Sequence, residues 1–304
     1  MIKLPNFLIV GAAKCATTSL YYYLKEHPEI FLPKVKETNF FVEPKEILGC
    51  GPRYCGKDSV GKNFRVYSEL YKDVDPMQHK AVGEICVTYL YFYKNAIPNI
   101  IRYLGNPKII IILRNPVDRA YSHYMHNLRD GDEKYSFEQA LELEDERIKQ
   151  NLWCSFHLKS MGYYYNQVKS YKEHFTNVKI LLYEDMKKDM HKFLKEIFEF
   201  LQVQNIKLDT SRKYNISGIP RIKILHKAVH SNFLLKKLVA RSLKVFLSSE
   251  KIDSLKNYIV NKNLQKIKMD EQTRLHLNKL YIEDIKKLSK LINKDLIEIW
   301  NIEI

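Results

Sequence analysis

No apolar run in the 304-residue chain approaches the length of a bilayer-spanning helix, which takes about 20 apolar residues. The stretch Leu4 to Ala13 is too short and is interrupted by Lys14. It has some look of a leader peptide, but a ligand-binding turn accounts for the same residues better. The expectation is a soluble, cytoplasmic protein without an N-terminal anchor. Cysteine is sparse: Cys15, Cys50, Cys55, Cys86 and Cys154 are odd in number and lack the spacing of a zinc site, so no metal is expected. Cys50 and Cys55 could close a local disulfide in their turn-rich loop, or stay as a reduced cytosolic pair. No repeat or long linker divides the chain. It reads as a single domain over 1–304, with a core over about 5–222 and helical additions over about 223–304. Acids are short of bases, 35 against 50, for a formal net charge of +15. That excess suits nucleic acid, an anionic membrane surface or an anionic substrate. A lysine-rich composition and a solvated surface explain much of it equally well. No nucleic-acid-binding module is recognisable, so neither nucleic acid nor membrane is expected as a partner.

What is present begins at Phe7-Leu8-Ile9-Val10-Gly11-Ala12-Ala13-Lys14-Cys15-Ala16-Thr17-Thr18-Ser19-Leu20. Four apolar residues run into a glycine, followed by small residues, a lysine and three hydroxyl residues. Leu20, Tyr23 and Leu24 then recur at helical spacing. The pattern is a buried strand, a tight turn and a helix start. A helix start offers unpaired N–H groups and the positive end of the dipole. Gly11, Ala12 and Ala13 let a bound group approach the backbone, Lys14 adds charge, and Thr17, Thr18 and Ser19 add donors. An ordinary βα turn would show fewer of these features together. The nucleoside triphosphate loop fits badly, because no Gly-Lys-Ser/Thr triplet is present to grip phosphate and magnesium.

Further along, Lys34-Val35-Lys36-Glu37 precedes Phe40-Phe41. Glu37 is either part of a charged turn or a general base kept ionised by its lysines. Pro107 to Pro116 holds the clearest strand, Ile109 to Leu113, whose β-branched run suits a parallel strand covered on both faces. Asn115 and Pro116 follow as N-cap and first helical residue. Arg114 lies at the strand's end and Ser122 two helical turns later, so a guanidinium and a hydroxyl could share one phosphate. Further strands are expected at Ala81–Ile85 and Val178–Tyr183, the acids Glu184 and Asp185 reading as helix caps. Asp270 to Ile292 is amphipathic and could pack on the core, cover an acceptor site or dimerise. The fold class is α/β, a mainly parallel sheet with helices on both faces and ligands at the strand C-terminal ends.

Four stretches carry a resemblance. Gly11, Lys14, Thr17, Thr18, Ser19 and Leu20 resemble the 5′-phosphosulfate loop of sulfotransferases that use 3′-phosphoadenosine 5′-phosphosulfate (PAPS). His27-Pro28 with Lys36-Glu37 and Phe41 resembles bacterial and glycosaminoglycan-type members, and Gly83-Glu84 with Tyr89 matches another of their elements. Ile85, Cys86 and Val87 depart from that element where many members carry lysine, serine or threonine. Arg114-Asn115-Pro116-x-x-Arg119-x-x-Ser122 resembles the 3′-phosphate site. The resemblance implies a P-loop-like three-layer sandwich and metal-free transfer of a sulfuryl group from PAPS to a sugar or small-molecule acceptor. It implies Glu37 as base and Lys14 as the group stabilising the leaving phosphate. Lys14, Cys15, Ala16, Thr17, Thr18, Ser19, Arg114 and Ser122 would hold the cosubstrate, with Ser217 and Arg221 closing over it from a late loop. The alternatives are a nucleotide-dependent kinase, which predicts magnesium dependence, and a basic nucleic-acid-binding protein, which predicts steeply salt-dependent binding.

Overall fold

The computed structural model describes residues 3–42, 63–210, 219–220, 264–265 and 267–303. Its centre is a five-stranded sheet of β1 (Phe7–Gly11), β2 (Ile30–Phe31), β3 (Ala81–Ile85), β4 (Lys108–Leu113) and β5 (Val178–Leu182), in the order β2-β3-β1-β4-β5. Every neighbouring pair is parallel. Consecutive residues on a strand face opposite sides of a sheet. All residues of β1 and β3, and all but the first of β4, are buried, so both faces are covered. The four strands expected from the sequence are present, and β2 joins them at the edge.

The chain leaves β1 on one side of the sheet to build β2 and β3, then crosses to build β4 and β5 on the other. The reversal falls at the C-terminal end of β1, where open α/β sheets bind ligands. Register also shifts there, between Ile9 and Gly11. Gly11 has no space for a side chain: a Cβ would sit 2.5 Å from the Cβ of Leu90. That glycine lets α3 (Thr88–Tyr91) close against the sheet beside the turn.

Helices α1 (Thr17–Lys25), α2 (Phe64–Glu69) and α3 precede α4 (Tyr93–Leu104) and α5 (Pro116–Asp130). They are followed by α6 (Phe137–Glu142) and α7 (Glu144–Lys149). Then come α8 (Tyr164–His174), α9 (Tyr183–Lys188) and α10 (Met190–Leu201), and finally α11 (Glu271–Ile292) and α12 (Leu296–Ile299). Of the three fates open to the amphipathic C-terminal stretch, α11 takes the first. Leu277, Tyr281, Ile285 and Leu288 are buried in the same cluster as β1, together with Leu296 and Trp300. Among the described residues no helix is long and apolar enough to cross a membrane.

Candidate active site

The turn after β1 is shaped by its backbone. Lys14 and Ala16 both adopt left-handed φ angles, 68° and 56°. Ala16 is the N-cap of α1 and has no side chain that can cap it, so an anion can take that place. Thr17 and Ser19 are buried at the helix start, and Thr18 is half-buried. Cys15 turns its thiol into the core, where burial pushes its pKa up to about 12. The thiol packs there and donates to the carbonyl of Ala13 within the turn. Lys14 keeps some solvent access as a residue, yet desolvation of its ammonium, helped by Arg129, Arg114 and Arg119 against Asp130, lowers its pKa to about 7.

Arg114 comes to this turn from the neighbouring strand. Its Nη1 donates to the carbonyl of Lys14 at 3.1 Å, and its guanidinium lies 4.7 Å from the centre of the Tyr183 ring. Adjacent parallel strands β1 and β4 thus deliver the two cationic motifs to one place. Asn115 caps α5 as expected, its Oδ1 accepting from the N–H groups of Val117 and Asp118, with Pro116 in the first turn. Ser122 is buried on α5. Arg119 is wholly buried and donates to the carbonyl of Leu158, a structural role.

Glu37 is brought in from the other side of β1. It has a left-handed φ of 58°, and its N–H donates to the carbonyl of Ile85 at 3.2 Å. Its Oε2 accepts from the N–H of Val87 at 2.7 Å, and Lys36 pairs with its other oxygen. The carboxylate keeps 20% of its exposure, enough to meet a substrate. The residues after it are laced to the same strand exit. Thr38 donates to buried Glu84, while Asn39 Oδ1 accepts from Thr88 Oγ1 at 2.6 Å. Glu84 also accepts from the hydroxyls of Tyr67 and Tyr89, each at 2.7 Å, and burial raises its pKa despite these donors. A small cavity bordered by Ala12, Ala13, Val87, Leu90 and Tyr91 lies between the turn and this exit.

Together these place a lysine at a helix start with no side-chain cap, a guanidinium bonded to the same turn and a carboxylate at the neighbouring strand exit. A sulfotransferase domain model matches residues 4–279. The chain belongs to the sulfotransferase family. A sulfotransferase from Alicyclobacillus acidocaldarius is similar over 99% of this chain and 100% of its own, at 30% identity and a TM-score of 0.76. The membrane-associated sulfotransferase kil1 of Dictyostelium discoideum is 30% identical over 49% of this chain and 30% of its own length. The bifunctional heparan sulfate N-deacetylase/N-sulfotransferase 2 of Bos taurus is 30% identical over 46% of this chain and 15% of its own. The matched region is therefore under a third of each of these two relatives.

Family membership accounts for why the motif residues converge, but some neighbours were not foreseen. Arg129 and Asp130 act on Lys14, and burial together with Lys14 lowers the pKa of His126. Spacing held a clue, since 126 and 129 lie one and two turns beyond Ser122 on one helix face. Glu84 was legible as part of a recurring element, but not its three hydroxyl donors. Glu184 and Asp185 fall in the first turn of α9, where negative charge suits the helix start, while the N-cap residue Leu182 makes no side-chain cap bond. Their side chains also reach Asn115, Trp300 and Lys294. Ser217, Arg221, Cys50 and Cys55 lie outside the described residues. Among the described residues no group of three or more His, Cys, Asp or Glu could hold a metal ion.

Proposed function

We propose that this chain, acting as one domain, transfers the sulfuryl group of PAPS to a hydroxyl or amine of a sugar or small-molecule acceptor. The observation that carries the reading is the hydrogen bond from Arg114 to the Lys14 carbonyl, because it joins the two anion-binding motifs in one site. The donor set fits the cosubstrate: the uncapped start of α1 and Lys14 suit the 5′-phosphosulfate, and Arg114 with Ser122 suits the 3′-phosphate. The heparan sulfate relative supports a carbohydrate acceptor.

In this mechanism Glu37 takes the proton of the attacking group, its carboxylate aimed by the Val87 N–H. The acceptor atom attacks sulfur in line, the S–O bond to the phosphate breaks, and the electron pair leaves with 3′-phosphoadenosine 5′-phosphate (PAP). Protonated Lys14 and the turn's N–H groups stabilise the charge developing on that phosphate. Arg114 and Ser122 stay bound to the 3′-phosphate throughout and so select PAPS over nucleotides that lack it.

The base assignment is tested with labelled PAPS and a panel of desulfated polysaccharides and phenols. Glu37→Gln is expected to lower transfer by about 10²–10⁴-fold while PAP affinity stays within about threefold of wild type. Undiminished transfer by Glu37→Gln would contradict the assignment.

A further inference from the structure

The residue after Arg114 is held from two distant parts of the chain. The N–H of Asn115 donates to Glu184 Oε1 at 3.3 Å, and its Nδ2 donates to the carbonyl of Trp300 at 3.0 Å. Trp300 closes the circuit, its indole Nε1 donating to Glu184 Oε2 at 3.0 Å. Asn115 and Trp300 are each only 4% exposed, and Glu184 is half-buried, so most of the ring of bonds is shielded from water. Buried polar groups that satisfy one another in this way resist rearrangement, since breaking one bond strands a desolvated partner.

The same short step at the exit of β5 serves Arg114 directly. Tyr183, immediately before Glu184, provides the ring beneath the guanidinium. Asn115, Glu184 and Trp300 therefore hold the backbone on one side of Arg114 and the ring platform on the other. Two exposed ion pairs, Arg274 with Asp118 at 2.7 Å and Lys294 with Asp185 at 3.4 Å, join α11 and the segment leading into α12 to the same edge. Exposed pairs of this kind are individually weak, so the buried ring carries the argument. An unheld arginine would have to surrender rotamer freedom each time it met a phosphate.

We propose that Trp300 and Glu184 are positioning residues for the 3′-phosphate subsite, and that the C-terminal helices form a clasp which holds Arg114 ready for that phosphate. The inference rests on the PAPS reading of Arg114. It gives the C-terminal segment a role in cosubstrate selection as well as in the core.

The test is a double-mutant cycle on PAP affinity, measured by calorimetry with wild type, Arg114→Ala, Trp300→Phe and the double variant. Trp300→Phe removes the indole donor and keeps an aromatic ring in the core. It is expected to weaken PAP binding about tenfold, or 1.4 kcal/mol, in the wild-type background. In the Arg114→Ala background the same change should cost less than about twofold, because the residue acts through Arg114. An equal loss in both backgrounds, or no loss in the single variant, would overturn the proposal. Should Trp300→Phe fail to fold, Glu184→Gln replaces it in the same cycle with the same expectation. Wild-type protein that does not bind PAP would overturn the cosubstrate reading first, before any variant is compared, and the clasp's phosphate role with it.

Discussion

Lys14 carries the clearest electrostatic consequence. Burial, with Arg129, Arg114 and Arg119 adding to it, holds its pKa near 7, far below an ordinary lysine. A bound phosphate would favour the charged form and raise that pKa again. Between about pH 7 and the phosphates' own second pKa of about 6, the free protein has Lys14 largely protonated, and affinity should change little. Above about pH 7, binding must recruit a proton, so PAP affinity should fall by up to tenfold per pH unit. Calorimetry at pH 8 in two buffers of different ionisation enthalpy should show uptake approaching one proton. Affinity independent of pH, with no uptake, would contradict this account of Lys14. The turn at Glu37 offers a second check. Thr38→Val removes a buried donor to Glu84, at a cost of about 1–3 kcal/mol in denaturant-measured stability, and Thr38→Ser should restore it. Lys14, Glu37 and Arg114 were legible in the sequence because each sits in a compact motif. The lacing of Thr38 to Glu84 and Tyr89 was not, because hydroxyl contacts between residues dozens of positions apart leave no periodic trace.

At the scale of elements, the legible parts were those whose physics is local. β1 and β4 announce themselves as β-branched or apolar runs, and Asn115-Pro116 marks the start of α5 by cap chemistry. β2 has two residues, too few for alternation to show, and only the flanking Pro28 and Pro33 mark a short extended run there. The acids after β5 sit in the first turn of α9 as the sequence implied, but their tertiary partners could not be read from it. Close packing between strands supplies the element-scale prediction. A Cβ on Gly83 would fall 2.1 Å from the ring of Phe7, which is wholly buried and has nowhere to move. Gly83→Ala should therefore destabilise the fold by about 1–3 kcal/mol, read by chemical denaturation. Unchanged stability would mean that β1 and β3 are less tightly packed than described.

Across the whole molecule, parallel strand order brings together what sequence separates. Glu37 reaches the exit of β3 on one side of β1, and Arg114 leaves β4 on the other, so both border the turn that carries Lys14. The α/β class and this convergence could be expected from motif order. The tie from Trp300 could not, since no pattern in a C-terminal helix names its partner. The formal charge of +15 gave less guidance than three guanidiniums placed around one lysine. Everything in the proposed function depends on that site accepting a 3′-phosphorylated adenine nucleotide. The most direct measurement is calorimetric titration of PAP without magnesium, with ADP as the control and Arg114→Ala as the comparison protein. The account predicts tight binding of PAP, weak binding of ADP, and PAP binding that is weakened at least about tenfold but still measurable in Arg114→Ala. Absent PAP binding, or binding of ADP and PAP alike only when magnesium is added, would contradict it.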